Sequence, residues 1–161
     1  MSATSYHGRV IRIALVEPEI PQNTGNIARL CAATRTPLHI IGATGFRLDD
    51  KAVRRAGLDY WDEVSLTRHA TLAALTQVLP DSRFIYFTTK AERSFLDWQY
   101  GDDDCLVFGR ETRGLPVDLL RANWSHCLKI PILNPKVRSL NLANSVAIVL
   151  YEALRQTRTI N

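Results

Sequence analysis

The sequence predicts an α/β fold, a mostly parallel sheet with helices on both faces, and three observations carry that expectation. Short apolar strand-like runs alternate with helix-like runs along the whole chain, which is the pattern of strands joined by helical crossovers. No internal repeat, low-complexity tract or linker interrupts the alternation, so 161 residues are expected to form one domain, residues 1–161, with a core that needs no staples. Three polar clusters sit at junctions between strand-like and helix-like stretches, where α/β proteins bind ligands.

The elements follow in order. Val10 to Val16 is an apolar strand ending at Glu17-Pro18, and Pro21-Gln22-Asn23 opens a helix that runs to about Ala33. Leu38 to Ile41 is the second strand, followed by the turn Gly42-Ala43-Thr44-Gly45. Asp49 to Ala56 reads as a short helix carrying Lys51, Arg54 and Arg55, stopped by Gly57. A weak strand at Glu63 to Leu66 precedes a helix from about Ala70 to Leu79, and Arg83 to Thr88 is a clear strand. Beyond Lys90 the chain is irregular until Asp102-Asp103-Asp104, read as a charged turn before a strand at Cys105 to Phe108. Pro116 to Ala122 is a helix entered through proline, Cys127 to Ile130 is the last strand, and an amphipathic helix from about Leu142 to Arg155 closes the chain.

Composition narrows the function classes. Cys31, Cys105 and Cys127 are too few and too apolar in setting for a disulfide framework or a zinc site, and the four histidines lack ligand spacing, so a reduced, metal-free protein is expected. No apolar run approaches the about 20 residues needed to cross a bilayer, and the N-terminus lacks the apolar run of a signal peptide. The expectation is a cytoplasmic protein with no membrane partner. Net charge is +4, a mild excess, but sixteen of the twenty cationic residues are arginine, whose planar fork grips phosphate at two points.

The first polar cluster is Asn23-Thr24-Gly25-Asn26-Ile27-Ala28-Arg29, and the second is Phe108-Gly109-Arg110-Glu111-Thr112-Arg113-Gly114-Leu115-Pro116. The third runs from Ile130-Pro131 to Arg138-Ser139-Leu140-Asn141-Leu142-Ala143. Neither G-x-G-x-x-G after the first strand nor G-x-x-x-x-G-K-[ST] occurs, which argues against dinucleotide and P-loop enzymes. Ser139 has no G-x-S-x-G elbow and no histidine near it, so serine hydrolysis is poorly supported.

Taken together, the clusters resemble the three signature motifs of the SPOUT superfamily of RNA ribose methyltransferases, in its SpoU or TrmH-like branch. The matches are N-x-G-N-x-A-R, F-G-x-E-x-x-G-L, and I-P followed by R-S-L-N-L-A-x-S. Two segments, Glu17-Pro18-Glu19-Ile20-Pro21-Gln22-Asn23-Thr24-Gly25-Asn26 and Arg54-Arg55-Ala56-Gly57-Leu58-Asp59-Tyr60-Trp61, are similar to the small group that methylates the ribose at the tRNA wobble position.

The resemblance implies a C-terminal deep trefoil knot and S-adenosyl-L-methionine bound in it by three loops, with no metal. Carried over, those loops contain Phe87 and Thr88, Gly109 and Gly114, and Ile130, Ser139 and Leu140. It implies that Arg29 anchors the neighbouring phosphate and stabilises negative charge on the ribose 2′-oxygen, since an arginine is too weak an acid to act as an ordinary base. Ser139 and Asn141 would hold the ribose or the arginine, Glu111 would orient a partner arginine or the nucleotide, and Asn26 would assist.

Local sequence permits plainer readings. Ser139 before a long helix suits an N-cap, Asn23 and Asn26 suit capping or bracing of the first helix, Arg29 suits a snorkelling helix residue, and the two glycines suit turns. Glu111 between Arg110 and Arg113 suits a surface ion pair.

Members of the branch are homodimers with the site completed across the interface. The closing helix is compatible, because it carries apolar residues on more than one face, Leu142, Val146, Val149, Leu150 and Ala153 with Ala147, Ile148 and Leu154 beside them; the alternative is a helix wholly buried in its own subunit. The partner RNA would be a tRNA anticodon stem-loop, held by candidates Arg35, Lys51, Arg54, Arg55, Arg93, Arg113, Lys136 and Arg138. A ribose methyltransferase for another tRNA or ribosomal RNA site, and a non-catalytic knotted RNA-binding protein, are the rival readings.

Overall fold

The six strands of the computed structural model, which describes residues 9–49 and 51–160, form one sheet in the order β3-β2-β1-β5-β4-β6, and every neighbouring pair is parallel. They are β1 (Arg12–Val16), β2 (Leu38–Ile41), β3 (Leu66–His69), β4 (Arg83–Phe87), β5 (Asp104–Phe108) and β6 (Cys127–Leu128). The helices are α1 (Pro21–Thr34), α2 (Lys51–Gly57), α3 (Leu72–Val78), α4 (Val117–Ala122) and α5 (Leu142–Gln156). The predicted parallel α/β architecture is thereby borne out.

Alternation of side chains along the central strands divides the core in two. Ile13, Leu15, Ile85, Phe87, Leu106 and Phe108 face one layer, where they pack with Ile27 and Cys31 of α1 and Val146, Val149, Leu150 and Ala153 of α5. Ala14, Tyr86, Cys105 and Val107 face the other, with Leu75 of α3 and Leu120 of α4. Burial on both faces explains why these strands read as near-continuous apolar runs.

Several ends shift by one or two residues, and four departures from the sequence reading have a physical reason. The weak strand lies at Leu66–His69 rather than Glu63 to Leu66, because Leu58–Glu63 winds into a 3-10 turn and the strand forms only on reaching β2 at Leu38. As an edge strand it tolerates exposed Thr67 and Arg68, so hydrophobic patterning marks it poorly. Strand β5 begins at Asp104, which is buried rather than part of a solvated turn. Arg83 holds its carboxylate at two points, Nε to Oδ1 at 2.8 Å and Nη2 to Oδ2 at 2.8 Å. The last strand is only Cys127–Leu128, since beyond it Lys129 bridges Ser94 alone. Finally, Asn141 and not Ser139 caps α5, accepting from the Asn144 backbone N–H at 3.2 Å.

The chain runs outward from β1 through β2 to β3, then returns to β4 and β5 on the other side of β1. The strand order therefore reverses between β1 and β5, and ligand crevices of open α/β sheets lie beyond the carboxyl ends of strands at such a reversal.

Candidate active site

The loops that follow β1 and β5 are latched together at that reversal. Glu111 accepts hydrogen bonds from the backbone N–H groups of Glu19 at 2.8 Å and Ile20 at 3.1 Å, seating a carboxylate at the positive end of α1. Thr112 donates from its hydroxyl to Glu19 at 2.7 Å, and Arg110 pairs with Glu17. Glu111 therefore acts on the first loop instead of forming an ion pair with Arg110 or Arg113.

Asn23 joins all three polar clusters. Its amide donates to Glu111 Oε1 at 3.4 Å, and its Oδ1 accepts from Asn141 Nδ2 at 3.0 Å. Asn141, with Oδ1 committed to the cap of α5, braces this chain of contacts. Asn26, expected from the resemblance to assist at the site, is exposed, whereas Asn23 is buried. A usable signal was present: Asn23 lies one turn before Ile27 and two before Cys31, a polar residue on the apolar stripe of α1.

The glycines of the second loop have distinct jobs. A Cβ on Gly109 would lie 2.1 Å from the Gly114 carbonyl carbon and 2.3 Å from the Leu115 nitrogen, so the loop closes on itself only with glycine there. Gly114 has φ +65°, a left-handed conformation that suits glycine. The close approach at Gly109 is thus to its own loop's main chain. Arg110 and Gly114 exchange backbone hydrogen bonds of 3.2 and 2.9 Å across the turn.

The loops after β4, β5 and β6 surround a cavity of about 640 Å³. Its walls include every residue proposed to hold the cofactor: Phe87, Thr88, Gly109, Gly114, Ile130, Ser139 and Leu140. Glu111, Asn141, Arg113, Arg138, Thr89 and Leu142 also line it, with Lys90 and Ile132, to which the sequence gives no role. Phe87 and Phe108 stack beneath it with ring centroids 4.7 Å apart. An apolar floor beside hydroxyls and open main chain suits a nucleoside-sized ligand, and the volume lies within the usual range for such sites. The residues present therefore fit an adenosyl group.

Arg29 is elsewhere. It is exposed and lines a second cavity of about 490 Å³ with Arg35, Tyr60 and Glu63, its guanidinium carbon 5.2 Å from the Tyr60 ring centroid. Asn26 shares its outward stripe on α1, with Gln22 and Ala33. Of the other basic candidates, Lys51, Arg55 and Lys136 are exposed, and the Arg54 side chain lies outside the described residues. Arg93 is engaged, stacked 4.8 Å from the Trp98 ring and donating to the Asp97 carbonyl at 2.7 Å. The three cysteines are buried and free, and burial pushes each thiol up, Cys105 to about 12, which leaves them unreactive. No group of three or more metal-ligating side chains occurs among the described residues, and no helix there is long and apolar enough to cross a membrane.

Residues 10–151 match the model of the SpoU rRNA Methylase family. The chain belongs to that family. The resemblance carried by the three clusters is borne out, and the SpoU motifs are the loops just described. A tRNA (cytidine(34)-2'-O)-methyltransferase of Escherichia coli K12 is 47% identical over 148 residues, covering 91% of this chain and 94% of that protein. The protein of the same description from Saccharophagus degradans is 45% identical over 148 residues, covering 91% and 96%. A solved structure concerned with the 2-OH methylation of C/U34 on tRNA superposes with a TM-score of 0.87 at 45% identity, covering 92% of this chain and 97% of that one.

Proposed function

We propose that the protein methylates the ribose 2′-hydroxyl of the wobble-position pyrimidine in tRNA anticodon loops, using S-adenosyl-L-methionine as methyl donor. The observation that carries this reading is the convergence of the second and third motifs, with Asn23 of the first, on one cavity whose lining suits an adenosyl ligand, in a chain about 47% identical to a named tRNA (cytidine(34)-2'-O)-methyltransferase. When bound, S-adenosyl-L-methionine supplies an electrophilic methyl group on a sulfonium. Phe87, Leu140 and Ile130 would flank the adenine, and Thr88 and the main chain from Gly109 to Gly114 would offer hydrogen-bond partners. Ser139, exposed beside Leu140, would hold the ribose, while Asn141 and Glu111 keep the walls in register through Asn23. Arg113 and Arg138 at the same cavity would grip flanking phosphates.

Arg29 anchors the phosphate beside the target and stabilises charge developing on the 2′-oxygen, while that oxygen's proton leaves to the phosphate or water. Since it does not line its own chain's 640 Å³ cavity, it acts on that of a second copy. A homodimer is supported by exposed stripes on two helices that pack together. One is Gln22, Asn26, Arg29 and Ala33 on α1; the other is Asn144, Ile148, Tyr151 and Arg155 on α5, where Ile148 is 40% and Tyr151 46% exposed. The same helix buries Val146, Val149 and Leu150 in its own subunit, so it faces both ways.

We read the chain as a single methyltransferase domain over residues 1–161, knotted between β5 and α5 and working in the cytoplasm. The placement of β5 inside β4, with β6 outside it, and the return of α5 onto α1 support the knot.

The direct test is incubation with methyl-labelled donor and individual tRNA species, followed by location of the label. Label on the 2′-oxygen of nucleotide 34 is expected, and Arg29→Ala should lower turnover at least 100-fold with donor binding retained, as for removal of a group that stabilises developing charge. Label at another tRNA position or in ribosomal RNA overturns the wobble assignment, and no transfer to any RNA overturns the activity.

A further inference from the structure

The cavity of about 490 Å³ beside the C-terminal turn of α1, at the end of the stripe offered to a second copy, has features besides Arg29 that the proposed methyl transfer does not use. Arg29 and Arg35 both line it, and neither forms an ion pair with a described residue. Tyr60 lines it with an exposed ring, and Glu63 contributes a carboxylate. Arg35 sits at the C-cap of α1 with φ 54°, a left-handed position where glycine is the usual occupant because it has no Cβ to clash. An arginine kept at a conformational cost points to a use for its side chain.

We propose that this cavity is a second nucleotide subsite for the RNA, taking a loop nucleotide near the methylated ribose. Arg29 and Arg35 hold its phosphate, Tyr60 stacks on its base, and Glu63 accepts from an exocyclic amino group. The proposal rests on the RNA-methylating reading above. Two guanidiniums suit a phosphate, an aromatic ring suits an unstacked loop base, and a carboxylate favours cytidine or adenosine over uridine.

The test measures binding of a fluorescently labelled anticodon stem-loop to the full-length protein across a salt series, with thermal melting in parallel. Arg35→Gly should raise Kd about tenfold and reduce the salt slope by about one while melting is unchanged or higher, since glycine relieves the backbone. Tyr60→Leu should weaken binding about fivefold, with Tyr60→Phe retaining it. Glu63→Gln should narrow the difference in Kd between stem-loops carrying cytidine and uridine beside the wobble nucleotide. Wild-type Kd and slope in Arg35→Gly, or equal Kd in the two Tyr60 variants, overturns the subsite even if the ribose is methylated. Conversely, a protein whose binding responds as described but which transfers no methyl group keeps the subsite and refutes the activity.

Discussion

Replacing Asn23 by alanine removes two side-chain partners from a position that is 6% exposed, Glu111 at 3.4 Å and Asn141 at 3.0 Å. A lost buried hydrogen-bonding partner costs about 1–3 kcal/mol, so Asn23→Ala should lower unfolding stability by about 2 kcal/mol in urea titration. Because the same contacts set the walls of the 640 Å³ cavity, donor affinity should fall with it. At this scale the sequence was legible where a residue type has a single use. Gly109 had to be glycine, and Gly114 takes a positive φ. It was less legible for amides and carboxylates, whose partners are set by the fold. Glu111 and Asn141 were recognisable as site residues, but their contacts lie about 90 and 118 positions away along the chain. Asn26 and Asn23 differ in burial only because of which face α1 turns inward.

At the scale of elements, the two edges of the sheet behave differently from its centre. Strands β1, β4 and β5 were evident from their apolar runs because both faces are covered, whereas β3 and β6 were misjudged at their ends because an edge needs little apolar surface. The β2–β3 edge carries a polar cluster: His39 Nδ1 lies 2.7 Å from Thr67 Oγ1 and 3.1 Å from His69 Nε2, while His39 Nε2 is buried with no partner. Burial, and then the nearby His69 and Arg12, lower the His39 pKa to about 4. The folded state thus keeps His39 neutral while the unfolded chain protonates near 6.5, so stability is full above that value and falls as pH drops towards 4. The loss should approach about 3 kcal/mol at the acid end, and His39→Gln should flatten this limb of the stability profile in denaturant titrations between pH 7 and 4. An unchanged profile would remove His39 as its source.

For the whole molecule, the arrangement that matters is the separation between the cavity and Arg29 within one chain. The three motifs identify the family from sequence, and two of them line the cavity along most of their length. The first divides, with Asn23 turned toward the cavity and Arg29 outward beside Tyr60. Helical periodicity separates the two faces of α1, but which cavity the outward Arg29 serves is not written in one chain if, as proposed, a second copy supplies it. Two variants isolate it: Arg29→Ala, which keeps the cavity, and Ser139→Trp, which fills the cavity and keeps Arg29. Each homodimer should be inactive. In mixed dimers, however, the intact cavity of the Arg29→Ala chain meets the intact arginine of the Ser139→Trp chain. Measuring methyl transfer to tRNA by purified mixed dimers should recover about half of wild-type turnover. Mixed dimers that bind tRNA and donor yet transfer no methyl group would contradict the assignment of Arg29 to the opposite subunit's cavity.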